Sequence, residues 1–445
     1  MSDEAAERRM RKSALGRTVR LATLPAAYAG RTTLGVGKRL VGRPAAAVMT
    51  EVQQRTADQI FSVLGELKGG AMKFGQAMSI FESALPDELI GPYRDALTKL
   101  QDSAPPMSQR MLEQVLTEDL GSHWRSMFTS FDTTPVASAS IGQVHRAVWS
   151  DGTEVAVKVQ YPGAAKALHS DIKQLGRMAR LFTVLAPGID IKPLLAEVET
   201  RMEEELDYTL EASNQMVFAD EFANDPDFVV PRVLGNSPRV LVTSWMESEA
   251  SLAQVIKDGT PEQRDHFGQL YARFLVAGPT RTGLLHADPH PGNFRILADG
   301  RLGVVDYGAV ARLPDGFPRP LGELLSSAMH DDWEAVVAGL REQGFLLAKV
   351  EFAPDDLQDY LGAFLDAGRT ELFTFSREWL RSQTVRVATP TQENVSRAFK
   401  LNLPPEYMLI HRVWLGGFGV LCQLEATVPF RSLLEQYVPG FDLAP

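Results

Sequence analysis

The chain has 445 residues, of which 44% are hydrophobic and 23% are charged, a composition typical of a globular protein with two or three domains or lobes. Its single cysteine, Cys422, excludes an internal disulfide and favours a reducing compartment. The sequence has no apolar run of about eighteen residues and no charged-then-apolar secretory start, so we expect a cytoplasmic protein without a transmembrane helix.

The charges are unevenly distributed along the chain. Residues 1–50 contain ten basic and three acidic side chains, a net charge of +7, whereas the whole chain carries −11. A basic leader on an acidic body argues against a nucleic-acid enzyme with a broad basic groove. The leader is either a segment that docks peripherally on an anionic membrane surface or a solvated, disordered one, and the sequence leaves both interpretations open.

Residues 51–130 are predicted to form a helical extension. Apolar residues at positions 60, 63, 64 and 67 follow a helical spacing, which is interrupted by glycines in LKGGAMKFGQAMSIFESALP. The proline-rich QDSAPPM (101–107) reads as a linker, and another helix is expected to follow it as far as Leu120.

The hydrophobic pattern changes at Phe131 and predicts a small β-rich lobe over 131–250. FDTTPVAS, QVHRAVW and EVAVKVQY are predicted strands, and Asp151-Gly152 marks a hairpin between the second and third. Helices are expected over 164–185 and 193–222, followed by strands in DFVVPRVL and RVLVTSW. The remaining chain, 251–445, is predicted to be a helical lobe with two short strands, FRIL and LGVVD, around Asp299-Gly300.

Lys158 is the first candidate functional residue. It lies on the face of EVAVKVQY opposite Val155, Val157 and Val159. A lysine on the third strand after a hairpin and a small-residue loop is in the position at which a lysine binds nucleotide phosphates. Taken alone, a solvated charge on an edge strand is the simpler explanation.

The preceding loop, ASASIGQV, stands where a glycine-rich phosphate cover would lie, although it contains only one glycine. Alanine and serine let the backbone approach a phosphate, but each Cβ takes up room. A tight turn between strands is the alternative. The candidate ATP-binding residues are Ala137, Ser138, Ala139, Ser140, Ile141, Gly142, Gln143, Val144 and Lys158.

A phosphate-binding lysine needs a carboxylate to hold it, and the helix EVETRMEEELDYTLEASNQ is rich in candidates. The spacing of Glu204, Asp207 and Glu211 predicts that they share one helical face. We expect Glu211 to be the partner of Lys158.

The stretch HADPHPGNF carries the remaining chemistry. Asp288 and Asn293 have the D-x-x-x-x-N spacing of a kinase catalytic loop, and Asp306 begins an Asp-Tyr-Gly sequence after a predicted strand. Asn293 and Asp306 would supply hard oxygen ligands to Mg²⁺. Asp288 would accept a proton from an attacking hydroxyl or water, as a general base.

A metal-hydrolase site is an alternative for the same stretch. His286, Asp288 and His290 would then form a transition-metal cluster. That interpretation leaves Lys158, Asn293 and Asp306 without a role. In the kinase-like interpretation, His286 is a structural residue that braces the loop. No role for His290 follows from the sequence.

Taken together, these motifs resemble the UbiB family of atypical kinases, also called aarF-domain-containing kinases, from about Leu67 to Phe441. The motifs are K-x-G-Q at 73–76, QDSAPPM, ASASIGQVH, VAVK, E-x-D at 205–207, HADPHPGN and DYG. The segment PPEYMLIHRVWLGGFGVLCQLEA resembles the end of the family's shorter branch, which acts in coenzyme Q biosynthesis.

The resemblance implies an α+β, protein-kinase-like two-lobe fold with an N-terminal helical extension that carries the K-x-G-Q motif. Within it, Lys73 and Gln76 would gate the active site together with Glu205 and Asp207. One difficulty is that residues two apart on a regular helix point about 200° apart, so Glu205 and Asp207 cannot both face one site without a distortion.

The implied function is an atypical kinase or ATPase that uses ATP and Mg²⁺, with hydrolysis or phosphoryl transfer to a small or lipid-associated acceptor, in isoprenoid quinone metabolism at membranes. The alternative is a non-catalytic, nucleotide-sensing scaffold that binds lipid.

Overall fold

The computed structural model describes residues 107–139, 141–165, 191–388 and 400–442. Apart from Ala165, these residues belong to one compact unit, Pro106–Ala164 with Leu181–Pro445. The basic leader, most of the predicted extension with Lys73 and Gln76, Ser140, and nearly all of the helix predicted over 164–185 lie outside the described residues.

The elements of the first half are, in chain order, helix α1 (Gln109–Leu120), strands β1 (Phe128–Phe131), β2 (Ala137–Ala139), β3 (Gly142–Trp149) and β4 (Glu154–Gln160), helices α2 (Ile191–Glu205) and α3 (Tyr208–Glu221), and strands β5 (Phe228–Val229), β6 (Val233–Asn236) and β7 (Val240–Ser244). Those of the second half are β8 (Ala250–Ser251), α4 (Leu252–Asp258), α5 (Pro261–Thr282), β9 (Leu284–His286), β10 (Phe294–Ile296), β11 (Leu302–Val304), β12 (Val310–Arg312), α6 (Arg319–Met329), α7 (Trp333–Glu342), α8 (Pro354–Leu361), α9 (Asp366–Arg369), β13 (Phe373–Thr374), α10 (Arg377–Ala388), α11 (Met408–Leu424), β14 (Thr427–Val428) and α12 (Phe430–Tyr437).

The first lobe is built on an antiparallel sheet of six strands in the order β1-β3-β4-β7-β6, with β2 added alongside β3. Val155, Val157 and Val159 of β4 are fully buried and pack in one cluster with Leu112 and Leu116 of α1. Since side chains alternate along a strand, Lys158 lies on the opposite face. The spacing of the three valines in the sequence therefore correctly predicts which face of β4 carries Lys158.

Two Asp-Gly pairs form the turns between neighbouring strands. Gly152 has a φ of +92° in the turn that joins β3 to β4, and Gly300 has a φ of +84° between β10 and β11. Glycine adopts such angles without a steric cost. The predicted hairpin at Asp151-Gly152 is confirmed, and the two short strands expected around Asp299-Gly300 also pair as a hairpin.

Two predicted strands are each two strands in the structure. The strand predicted over 131–138 is divided into β1 and β2 by a turn, in which the backbone N–H of Thr134 donates to the Asp132 carboxylate at 2.8 Å. The strand predicted in DFVVPRVL is divided into β5 and β6 at Pro231, which has no N–H to donate to a sheet.

The helix predicted over 193–222 is also interrupted, because Asp207 ends one helical segment and caps the next. Its carboxylate accepts from the backbone N–H groups of Thr209 and Leu210 at the start of α3. Glu204 therefore lies on α2, where it pairs with Arg201 at 2.6 Å, and Glu211 lies on α3. The prediction that Glu204, Asp207 and Glu211 share a helical face was wrong.

The second lobe is mainly helical, as predicted. Its central helix α5 packs against α11 and α12. A small sheet, β5-β11-β10-β8, and the pair β9-β12 carry the loops of the site. Among the described helices, none combines the length and the apolar character needed to cross a bilayer.

Candidate active site

The centre of the site is an ion pair between the two layers of the first lobe. Lys158 Nζ on β4 lies 2.6 Å from Glu211 Oε1 in the first turn of α3, and 3.4 Å from Asp306 Oδ1. The Lys158 side chain is 15% exposed and that of Glu211 is 3% exposed. Of the carboxylates considered from the sequence, Glu211 is the one that pairs with the lysine.

The charges of this cluster shift the proton affinities of both partners. Burial alone would lower the pKa of Lys158, but the neighbouring Asp306 and Glu211 carboxylates outweigh it and raise the pKa well above its ordinary value. Burial raises the pKa of Glu211, with Lys158 opposing and Asp306 and Glu205 adding to the rise. One ammonium faces several carboxylates, so acidic groups outnumber the basic one in this cluster.

Asp306 is held in an unusual backbone conformation directly after β11. Its φ is +66°, in the left-handed region that few residues other than glycine adopt. The His286 ring donates from Nε2 to the Asp306 carbonyl at 2.9 Å, and the Gly308 N–H donates to Asp306 Oδ1 at 3.3 Å. Tyr307 is fully buried and its ring packs 4.9 Å from that of Phe218. Packing and hydrogen bonds thus fix the direction of the Asp306 carboxylate.

The loop of Asp288 and Asn293 is a short 3₁₀ turn, Pro291–Asn293, anchored on both sides. The Tyr271 hydroxyl donates to the Pro289 carbonyl at 2.7 Å. His290, which had no role from the sequence, caps the turn by accepting at Nδ1 from the Gly292 N–H at 3.1 Å. The Asn293 amide nitrogen donates to Asp288 Oδ2 at 3.1 Å.

The transition-metal alternative finds no support in the geometry. His286 is bonded to the Asp306 carbonyl and His290 to the Gly292 N–H, so the two rings serve backbone contacts. Among the described residues, no group of three His, Cys, Asp or Glu side chains is arranged to hold a metal.

Asn293 and Asp306 fit Mg²⁺ that arrives with a nucleotide. The Val305 N–H donates to the Asn293 carbonyl at 2.9 Å, so the chain brings Asp306 beside Asn293. The bonds from Asn293 to Asp288 use the amide nitrogen, so the amide oxygen is the atom that could ligate a metal. Mg²⁺ is commonly bound through one or two protein oxygens plus substrate phosphates, and this donor set matches that chemistry.

Arg412 is a residue of the site that sequence reasoning missed. Its Nη2 lies 2.9 Å from Asp288 Oδ1, and the two residues are 124 positions apart in the chain. The Asp288 side chain is 5% exposed and that of Arg412 is 36% exposed. No local spacing links the two residues, so nothing in the sequence predicted this pair.

The alanine-rich loop is a hairpin in which Ala139 pairs with Gly142 across β2 and β3. Ile141 is buried in a cluster with Tyr208, Ala212 and Leu241. Any contact of Ile141 with a nucleotide would therefore come from its backbone.

Gly142 is the glycine that the packing of this hairpin requires. A Cβ at Gly142 would overlap the Val159 carbonyl oxygen and lie 2.8 Å from the Tyr208 hydroxyl. The glycine thus allows β3 to pack closely against β4 and α3, whatever it contributes to binding a phosphate.

Gln143 and His145 form a fully buried polar chain beside the loop. Gln143 accepts at Oε1 from the Met107 N–H at 2.8 Å and donates from Nε2 to His145 Nε2 at 2.8 Å. The His145 ring therefore carries its proton on Nδ1 and donates it to the Asp132 carbonyl at 2.9 Å. The side chain of Gln143 is occupied by the protein itself.

The E-x-D residues lie on either side of the break between α2 and α3. Glu205 is the last residue of α2, and its charge contributes to the raised pKa values of Glu211 and Tyr208. Asp207 caps α3 with its carboxylate. The helix is therefore broken between Glu205 and Asp207, so the two residues are not bound to the roughly 200° separation of a regular helix. Lys73 and Gln76 lie outside the described residues.

A buried lysine–glutamate pair beside an Asp-Tyr-Gly turn and a catalytic-type loop defines a two-lobe, kinase-like fold. Residues 99–340, more than half of the chain, match the ABC1 atypical kinase-like domain, and the chain belongs to this family. The kinase-like α+β fold predicted from the sequence is thereby confirmed.

Several proteins similar in sequence to this chain are named as kinases. The chain is 28% identical to "Atypical kinase COQ8, mitochondrial" of Schizosaccharomyces pombe over 86% of this chain and 63% of that protein. It is 31% identical to "Probable serine/threonine-protein kinase abkA" of Dictyostelium discoideum over 88% of this chain and 71% of that protein. These similarities confirm the predicted UbiB-type family, although the chain spans less than two thirds of the COQ8 protein.

A solved structure covers most of the chain. The complex of Rv3197 with erythromycin from Mycobacterium tuberculosis is 43% identical, with a TM-score of 0.67, over 90% of this chain and 100% of that one.

Proposed function

We propose that this chain binds MgATP and hydrolyses it slowly, or transfers its γ-phosphoryl group to a small or lipid-associated acceptor. The observation that carries the proposal is the cluster of Lys158, Glu211 and Asp306, in which one ammonium is held between two carboxylates at 2.6 Å and 3.4 Å. The catalytic-type loop supports it with Asp288 and Asn293 held 3.1 Å apart.

In this proposal Lys158 binds the nucleotide phosphates and Glu211 holds its ammonium in place. The backbone of the hairpin 137–144 covers the phosphates. Mg²⁺, held by Asn293 and Asp306, would neutralise phosphate charge. Asp288 accepts the proton of a water or of an acceptor hydroxyl. The oxygen of that water or hydroxyl then bonds to the γ-phosphorus. The bond from that phosphorus to the bridging oxygen breaks, and ADP leaves with the electron pair.

The regulation and the setting of the reaction are parts of the same proposal. Lys73 and Gln76 would gate the site together with Glu205 and Asp207, as the family resemblance implies. Support for a role in quinone metabolism comes from the similarity to proteins named COQ8. The leader, 1–50, would attach the protein peripherally to an anionic membrane surface through its net charge of +7.

A second candidate is a non-catalytic scaffold in which the nucleotide only sets the conformation. The observation in its favour is that a relative 43% identical was solved in complex with erythromycin, a molecule that is not a nucleotide. In this case the chain binds ATP and an apolar ligand without turnover.

Turnover by the full chain separates the two candidates. MgATP hydrolysis is measured for the wild type and for Asp288→Asn, with and without lipid and quinone precursors, and MgATP binding is followed by calorimetry. Asparagine keeps the shape of the side chain and removes its function as a base. Hydrolysis that depends on Asp288 supports the enzyme. Binding without turnover above the Asp288→Asn level supports the scaffold.

A further inference from the structure

The carboxylate of Asp288 is held at both oxygens. Oδ1 lies 2.9 Å from Arg412 Nη2, and Oδ2 accepts from the Asn293 amide nitrogen at 3.1 Å. Two donors from different directions fix the rotation of a carboxylate about its last bond, which a single donor cannot do. The plane of the Asp288 carboxylate is thus set jointly by the catalytic-type loop and by a helix remote in sequence.

Arg412 owes its position to the core of the second lobe. It lies in the first turns of α11, where Leu409, Ile410 and Val413 are buried. The helix packs against α5, which also carries Tyr271, the anchor of the loop at Pro289. Both the guanidinium and the loop are therefore placed by the same rigid helix pair.

The charge of Arg412 suits this position. A carboxylate with a 5% exposed side chain loses most of its hydration, and a guanidinium compensates for that loss without itself being deprotonated. The titratable neighbours His286 and Tyr271 are neutral, since burial lowers the pKa of the former and raises that of the latter.

Arg412 also lies beyond the matched kinase-like domain, which ends at residue 340. The match contains the other residues of the cluster, Lys158, Glu211, Asp288, Asn293 and Asp306. Helix α11 thus supplies a contact that the matched region by itself lacks.

We propose that Arg412 is a positioning residue for Asp288: its guanidinium orients the carboxylate for proton transfer, so that α11 is part of the active site. This inference rests on the proposed function, because Asp288 needs orientation only if it acts as a base. In this proposal Arg412 does not contact the nucleotide.

The test is steady-state ATP hydrolysis by the full chain, with MgATP affinity and melting temperature measured on the same samples. Arg412→Met removes the charge and the hydrogen bond, and Arg412→Lys keeps the charge without the planar fork. The matched control is Arg431→Met, because Arg431 is 38% exposed and pairs with Glu435 on α12 at 2.8 Å, away from the site.

We expect Arg412→Met to lower kcat at least about tenfold, a part of the roughly 10²–10⁴-fold that a positioned base contributes. The KM for ATP and the MgATP affinity stay within about twofold of wild type, and Arg412→Lys restores part of kcat. Arg431→Met behaves as wild type. In an Asp288→Asn background, Arg412→Met causes no further loss, since the group through which it acts is already gone.

Wild-type kcat in folded Arg412→Met overturns the inference and leaves the proposed function intact. A loss of kcat that persists in the Asp288→Asn background, or a parallel loss of MgATP affinity, also overturns it. If the wild type shows no turnover above Asp288→Asn, the proposed function fails and this inference fails with it. Should Arg412→Met not fold, a lowered kcat at unchanged KM in Arg412→Lys is the decisive result.

Discussion

Lys158 and Glu211 form a buried ion pair at 2.6 Å across 53 residues of chain. The pair joins the central strand β4 to α3, and Asp306 of the second lobe approaches the same ammonium at 3.4 Å. One lysine therefore links the sheet, the helix and the Asp-Tyr-Gly turn.

The first prediction concerns the stability of this pair. Lys158→Met leaves the Glu211 carboxylate buried without its cation, and we expect a loss of about 3–5 kcal/mol in the free energy of unfolding. Adding Glu211→Gln recovers part of the loss, because the uncompensated charge is then absent. Chemical denaturation measures both variants, with the exposed Lys257→Met as the control. Equal stability of the single and double variants would contradict the coupling.

The second prediction separates the backbone role of Asp306 from its role as a ligand. Asparagine tolerates the left-handed φ of +66°, so Asp306→Asn adds no backbone strain and loses only the charge interaction with Lys158 at 3.4 Å. We expect its MgATP affinity to fall by more than about 100-fold. Loss of a residue that contacts only a metal ligand, and not the metal, already costs roughly 10–100-fold. Asp306→Ala additionally loses about 1–2 kcal/mol of stability to backbone strain. Calorimetry that finds wild-type MgATP affinity for Asp306→Asn rules out Asp306 as a ligand.

The third prediction is that one position of the hairpin determines stability and another determines nucleotide affinity. Gly142→Ala forces a Cβ against Val159 and Tyr208, so we expect a loss of about 1–3 kcal/mol in stability from overpacking. Ala139→Gly costs at most about 1 kcal/mol and changes nucleotide affinity, because it removes a Cβ from the proposed phosphate cover. Denaturation and nucleotide titration on both variants provide the check. If Ala139→Gly binds nucleotides as the wild type does, the hairpin does not cover the phosphates.

The fourth prediction is a pH dependence of stability that comes from His145. Burial lowers the pKa of this histidine below its ordinary value of 6.5. The unfolded chain therefore binds the proton more readily, so the stability is complete above pH 6.5 and falls as the pH drops towards the lowered value. The slope contributed by one group is at most about 1.4 kcal/mol per pH unit.

His145→Asn keeps a donor for the Asp132 carbonyl and removes the titration, so the decline of stability below pH 6.5 becomes shallower. The exposed His123→Gln serves as the matched control. Denaturation curves at several pH values measure both variants. An identical decline in His145→Asn and wild type would show that another group is responsible.

The fifth prediction concerns the leader and its membrane surface. Replacing Arg8, Arg9, Arg11 and Lys12 by glutamine weakens binding to anionic vesicles, since each basic residue near such a surface contributes about 1 kcal/mol. Salt weakens the binding of the unchanged protein, because these charges are screened within a Debye length of roughly 10 Å. Vesicle sedimentation provides the measurement, with neutral vesicles as the control. Equal binding by both proteins would remove the leader from the membrane proposal.

What the sequence by itself determined about this protein is local. The valines of β4 orient Lys158, and Asp151-Gly152 marks the hairpin between β3 and β4, because alternation and turn geometry depend on neighbouring residues only. The spacing from Asp288 to Asn293 predicts one loop for the same reason, and the family motifs identify the fold. The capping signal of Asp207 is also local, and it could have predicted the break before α3.

Only the tertiary structure decided which of these groups meet. Glu211 reaches Lys158 because α3 packs on the sheet. Arg412 reaches Asp288, 124 residues away in the chain, because α11 packs on α5. Gly142 is required by the Tyr208 hydroxyl and the Val159 carbonyl, neither of which is a sequence neighbour. Such contacts arise from the packing of whole elements, and no periodicity of the chain encodes them.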